Sequence, residues 1–186
     1  MDTAKKECIL LEAARAFARF GFKKASIDDI AREAGVGKGT VYLAADSKED
    51  LYYQVLHREV RAWQGECARS IDPRVPADQL LGKLLTTAMQ YLESRPLVSE
   101  LFSGETSRIM PRWAERFGEL AALGRSNIAD VLRIGMRQGI FRADLEVDAV
   151  AGILQDLHMT AYRSPDLTTR ARVGLDLVLN GVRAAH

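Results

Sequence analysis

Between Ser26 and Leu51 the chain carries two short apolar-striped segments joined by Ala34-Gly35-Val36, and this stretch constrains the fold more than any other. Ser26 is a natural N-cap, and Asp29 stands three residues later, where a capping box usually has Glu or Gln. Ile27, Ile30, Ala31 and Ala34 recur at helical spacing and form one buried stripe. Gly35 can take the left-handed conformation that ends a helix. A second short helix is expected from about Gly37 to Leu43. Ser47 then caps a third, with Lys48, Glu49 and Asp50 in its first turn. Two short helices bent sharply about a glycine are the plan of a helix-turn-helix. The first braces the second, whose N-terminal residues are offered to a major groove.

The flanks also read as helices. Leu10, Ala13, Ala14, Phe17 and Phe20 mark the apolar face of a helix from about Lys5 to Phe20, stopped by Gly21. The helix capped by Ser47 continues through Leu51, Val55, Leu56, Val60 and Trp63. Asp72, Pro73 and Pro76 make Arg69–Pro76 a connection. Beyond it, helices are expected over Ala77–Leu92 and Leu97–Phe102, and as a long stretch from Pro111 to Arg137 that ends before Gly139. Asp144 is expected to cap Leu145–Tyr162, and a last helix covers Leu167–Arg183. No alternating run argues for a sheet. The expectation is an all-α fold of about nine helices. A three-helix helix-turn-helix domain (residues 1–50) is expected to be joined by helix four to a larger helical domain (residues 51–186).

Composition narrows the function. Of 186 residues 47% are apolar and five are proline, which suits a folded domain. No stretch approaches a membrane span, and the charged start has no signal-like apolar run. Cys8 and Cys67 make neither a disulfide framework nor a metal motif. Free thiols fit a cytoplasmic protein. The net charge is only +1, yet Arg15–Tyr42 holds six basic residues against three acids, a modest surface for phosphate. Gly35-Val36-Gly37-Lys38-Gly39-Thr40 fails as a nucleotide-binding loop. Gly39 follows Lys38 where Ser or Thr is required, and the segment follows a helix rather than a strand. Three histidines and scattered acids offer no catalytic constellation, so no enzyme, cofactor or metal is expected.

The whole stretch resembles the N-terminal domain of the tetracycline-repressor (TetR) family. The resemblance rests on Phe20-Gly21-Phe22, Ser26-Ile27, Ile30-Ala31, Ala34-Gly35-Val36, Lys38-Gly39, Tyr42 and Ser47-Lys48-Glu49-Asp50-Leu51. It implies that Thr40, Tyr42 and Lys48 contact phosphates and that Lys38 reaches bases or phosphate. Ser26, Gly37 and Gly39 complete that DNA-binding surface. The sequence departs from the pattern at Ala44-Ala45-Asp46, where the family has an aromatic or histidine and then phenylalanine, and at Gly37, where serine is common.

For the second domain the resemblance implies a four-helix dimer interface built by the last two helices. Val147, Val150, Leu154, Leu157, Ala171, Leu175, Val178, Leu179 and Val182 are its candidates. It also implies an effector pocket, with candidates Met89, Leu92, Phe102, Trp113, Phe117, Leu120, His158 and Tyr162. The expected partners are palindromic double-stranded operator DNA, a second copy of the chain and a small-molecule effector, with no membrane. The expected output is ligand-responsive repression. The departure at Ala44-Ala45-Asp46 keeps a second reading open: a helical ligand- or protein-binding dimer with weak or lost DNA binding.

Overall fold

The computed structural model describes residues 2–163 and 168–183, without the side chains of residues 89, 158–163, 168–172 and 175. The described residues form α1 (Thr3–Lys24), α2 (Ile27–Glu33), α3 (Lys38–Ala44), α4 (Lys48–Arg69), α5 (Ala77–Ser94) and α6 (Pro96–Phe102). There follow α7 (Glu105–Ile109), a 3-10 turn (Pro111–Trp113), α8 (Ala114–Ala122), α9 (Arg125–Arg137), α10 (Val147–Arg163) and α11 (Thr168–Val182). The fold is all-helical, an N-terminal helix-turn-helix bundle joined to a larger helical domain. The helices beyond the expected number are short α7 and the division of 111–137 into α8 and α9.

That division has a visible cause. The amides of Leu123 and Gly124 bond three residues back, tightening the last turn of α8. The carbonyl of Leu123 accepts from Ser126 Oγ (3.0 Å) and from Gln64 Nε2 of α4 (3.3 Å). A side chain from another helix thus takes over an acceptor that a continuous helix would have used.

Two expected caps do not form. Ser26 is the N-cap of α2 by position, but its side chain makes no capping hydrogen bond. Asp29 pairs with Arg32 at 2.7 Å instead of completing a capping box. Asp144 does not start α10, which begins at Val147; it is held in a two-pronged pair with Arg142, both contacts 2.6 Å. Ser47 does cap α4, accepting from the Asp50 amide at 3.0 Å. The first helix breaks at Gly21 (φ +72°) as expected, with a further turn to Lys24.

α4 runs unbroken across residue 50 and gives each half of the molecule part of its core. Near its start, Leu51, Tyr52, Val55 and Leu56 are buried with Ile9, Leu10, Ala13 and Phe17 of α1 in one core. The ring of Phe17 meets Tyr52 edge-on at 4.9 Å, and Tyr52 lies 6.4 Å from Phe117 of α8. Burying one such aromatic contributes about 1.5–3 kcal/mol. The Tyr52 hydroxyl donates to Glu100 Oε2 at 3.1 Å, so the same residue also ties α4 to α6.

The cysteines stand apart. Cys8 is exposed, while Cys67 is buried and its thiol is pushed up to about 11, first by burial and then by the charge of Glu66. The thiolate is the reactive form. Iodoacetamide at pH 8 should therefore alkylate Cys8 and spare Cys67 in the folded protein, and modify both in denaturant, as read by intact mass. Equal native labelling of the two would contradict this burial.

Candidate nucleic-acid interface

The turn between α2 and α3 is built from three hydrogen bonds. The amide of Gly35 bonds the Arg32 carbonyl (3.1 Å), that of Val36 the Ala31 carbonyl (2.9 Å) and that of Ala34 the Ile30 carbonyl (2.9 Å). Gly35 sits at φ +65°, which a side chain would strain. This is a Schellman ending, and it reverses the chain while using the carbonyls that α2 would otherwise leave unpaired. Ile27, Ile30, Ala31, Val41 and Ala44 are buried together, fixing how α3 lies on α2.

With Val41 and Ala44 inward, α3 turns its other residues outward. Gly37, Lys38 and Gly39 are exposed and Thr40 half-buried. Tyr42 is 45% exposed and Leu43 77%. Tyr42 therefore does not spend its ring on the core. The Lys38 ammonium meets Asp28 Oδ2 of α2 at 2.9 Å. That hydrogen bond, then the Asp28 charge, raises the Lys38 pKa above the ordinary lysine value. Lys48, half-buried, donates to the Lys23 carbonyl at 3.3 Å, and its ammonium lies 4.8 Å from the centre of the Phe22 ring. Each ammonium has three donors, so neither contact exhausts it. Ser26 is half-buried at the head of α2. Lys23 and Lys24 add exposed positive charge beside Lys48.

The unusual segment Ala44-Ala45-Asp46 is fastened by polar groups. Ala44 and Ala45 are buried. Gln54 Nε2 donates to the Ala44 carbonyl (3.1 Å) and to Asp50 Oδ2 (2.7 Å), which also accepts from the Asp46 amide (3.2 Å). Gln54 and Asp50 thus clasp the end of α3 where the family pattern has a packed aromatic. Gln54 was not singled out from the sequence, because a helical glutamine reads as a solvated residue, and Asp50 was read only as part of the first turn of α4 and of the family pattern.

In the second domain a cavity of about 20 Å³ is enclosed mainly by Trp63, Leu84, Leu92, Phe102, Ile128 and Gln155. Of the expected pocket residues, Leu92 and Phe102 line it. Trp113, Phe117 and Leu120 do not: Trp113 and Phe117 pack with tilted rings against Tyr53 in a separate aromatic group, and Leu120 is buried core. The side chains of Met89, His158 and Tyr162 lie outside the described residues. Trp63 was read from the sequence as core alone; its ring forms a wall of the cavity, and its Nε1 is buried with no hydrogen-bond partner among the described residues.

The dimer candidates divide between two faces. Leu154 and Val182 are buried within the protomer, so they belong to its own core rather than to a partner-facing surface. Val147, Val150, Leu157, Val178 and Leu179 are half-buried. The side chains of Ala171 and Leu175 lie outside the described residues. Among the described residues, the exposed large apolar side chains of α10 and α11 are Ile153, Val173 and Leu177. Among the described residues, no cluster of His, Cys, Asp and Glu is placed to hold a metal, and no helix is long and apolar enough to cross a membrane.

Known proteins share this plan. The family model for bacterial regulatory proteins of the tetR family matches residues 9–55, which take in most of α1, the whole helix-turn-helix and the start of α4. The chain is 30% identical over 184 residues to the HTH-type transcriptional repressor KstR2 of Mycobacterium tuberculosis, covering 93% of this chain and 90% of that protein. A TetR-family regulator from Mesorhizobium loti superposes with a TM-score of 0.75 at 18% identity, over 97% of this chain and 98% of that one. FadR of Bacillus subtilis, solved with stearoyl-CoA, superposes with a TM-score of 0.71 at 18% identity, over 95% and 99%. TetR-family regulators are DNA-binding proteins rather than enzymes, and they generally act as ligand-responsive dimers. With the helix-turn-helix matched as a unit and a repressor aligned over almost its whole length, this chain belongs to the TetR family of bacterial regulatory proteins.

Proposed function

We propose that the chain is a cytoplasmic, homodimeric repressor that binds palindromic operator DNA through α3 and changes affinity when a small molecule enters the second domain. The observation that carries this reading is the two-sided build of α3: Val41 and Ala44 anchor it, and Lys38, Gly39, Tyr42 and Leu43 face outward. Two copies held by α10 and α11 would enter successive major grooves, about 34 Å apart. Thr40, Tyr42 and Lys48 take phosphates, with Ser26, Gly37 and Gly39 shaping the approach.

The effector enters beside Trp63. A cavity of about 20 Å³ holds little more than one water-sized sphere, whereas ligand pockets run to about 300–1,000 Å³. Occupancy therefore requires Leu92, Phe102 and Trp63 to move apart. Because Trp63 is on α4, that displacement reaches the DNA-reading head. The mainly apolar lining suits an apolar segment of the effector, in keeping with the stearoyl-CoA held by FadR. The effector must bind the two states unequally to shift them.

The test is a fluorescence titration with DNA from upstream of the protein's own gene, repeated across salt concentrations. Tight, sequence-dependent and salt-sensitive binding is the expected result. Binding no better than to scrambled DNA would favour the second reading, a dimer without operator recognition. The Lys38–Asp28 pair and the acidic first turn of α4 are the observations on that side.

Tyr42→Ala and Lys48→Ala should each weaken operator binding about a hundredfold or more while the dimer stays folded, since a hydrogen bond to a charged group is lost twice. Lys48→Ala should also flatten the salt dependence by about two phosphate equivalents per dimer. Parent-like affinity of both variants at moderate salt would remove Tyr42 and Lys48 from the interface.

A further inference from the structure

The reading head is poor in polar groups that could recognise a base. Its one cation, Lys38, is held by Asp28, and Gly37 and Gly39 have no side chains. At 100° per residue, positions 39 and 43 fall opposite the inward pair Val41 and Ala44. Leu43 is on this outermost line and, at 77%, is the most exposed large apolar side chain described. A Cβ added at Gly39 would meet nothing within 4 Å, so the surface one turn before Leu43 is open. Helical side chains lean toward the N-terminus, which carries Leu43 over that opening.

An isolated exposed leucine is unremarkable on a protein surface. This one is on the helix that the operator-binding reading places in the groove, flanked by Tyr42 and with Gly39 one turn away. The C5-methyl of thymine is the apolar group that base edges present in the major groove. We propose that Leu43 is a specificity-determining residue that reads a thymine methyl in each operator half-site. The proposal rests on the operator-binding reading above and adds the base chemistry that α3 recognises. It makes thymine preferred over cytosine at that position, without a hydrogen bond.

Deoxyuridine, which is thymidine without the methyl, provides the test. The full-length parent protein is used to enrich duplexes from a randomised pool. Thymines of the enriched half-site are then replaced one at a time by deoxyuridine. One replacement per half-site, two in the duplex, should weaken parent binding about fifteenfold, about fourfold for each methyl-sized group removed. Leu43→Ala should bind the unmodified duplex more weakly by a similar factor and lose nothing further on that replacement. Its exposed position leaves folding intact, as a circular dichroism melt would show. If no replacement affects the parent, or if Leu43→Ala keeps the full penalty, the methyl contact is overturned while operator binding stands. If no duplex is enriched, operator binding falls, and this inference with it.

Discussion

Gly135→Ala should lower the stability of this protein by about 1–2 kcal/mol, although helix propensity alone argues the opposite sign. Exchanging Gly for Ala inside a helix is ordinarily worth up to about 1 kcal/mol of stabilisation. At this position the added Cβ would overlap Cδ2 of Phe141 and lie 2.5 Å from its Cε2. Phe141 is fully buried and its position is fixed by backbone on both sides. Its amide and that of Ile140 both bond the Gly135 carbonyl, at 3.1 and 3.0 Å. The next amide, Arg142, bonds the Val182 carbonyl at the end of α11 (2.9 Å). The ring cannot swing aside without opening the return that joins α9 to α11. Overpacking a core typically costs about 1–3 kcal/mol and sometimes more, so strain outweighs propensity. Urea unfolding of the variant should show a lower midpoint with an unchanged slope. Phe141→Leu in the Gly135→Ala background should recover part of the loss, the coupling expected of residues in contact. A variant as stable as the parent would mean that Phe141 does not pack on Gly135.

What the sequence revealed divides by the range of the forces involved. The helix-turn-helix was legible because local signals determine it: Gly35 for the turn, Ile30, Ala31 and Val41 for the wedge, and Ser47 for the next start. The caps that failed did so through competition between neighbours. Arg32 claims Asp29, and Arg142 claims Asp144 with a forked guanidinium two residues away. A capping propensity cannot register such a rival. The second domain was harder for a different reason. Apolar periodicity looks the same whether a side chain faces its own core, a cavity or a partner subunit. Leu92 and Phe102 thus read no differently from Phe117 and Leu120, and only the packing assigns the first two to the cavity. Leu43 was overlooked because attention to DNA contacts falls on polar residues, although its helical position already placed it opposite Val41.

The same ambiguity, resolved on α10 and α11, gives the other large expected effect. Leu154 and Leu177 are both leucines on helices assigned to dimerisation, yet their replacement should have opposite consequences. Leu154 is buried within its own protomer. Leu154→Ala should cost about 2–5 kcal/mol of folding stability, because the surrounding core collapses only partly around the space left. Leu177 is 67% exposed, one turn from Val173 (51%), with Ile153 (49%) outward on the neighbouring helix. Leu157 lies close against Gly174, so α10 and α11 present these residues from one tightly joined pair. In an isolated protomer, Leu177→Glu replaces a solvated apolar group by a solvated charge, a change usually within about 0.5 kcal/mol. In a two-fold interface the substitution occurs twice. Each copy forfeits about 1.5–3 kcal/mol of apolar burial and brings a carboxylate that must be desolvated. The dissociation constant of the dimer should therefore rise by about a hundredfold or more. Sedimentation across a protein dilution series, paired with urea unfolding, separates the two effects. Leu177→Glu should sediment as a folded monomer at concentrations where the parent is a dimer, and it should lose operator affinity with its second reading head. Leu154→Ala should unfold earlier. A Leu177→Glu protein that still associates like the parent would place the partner on some other surface.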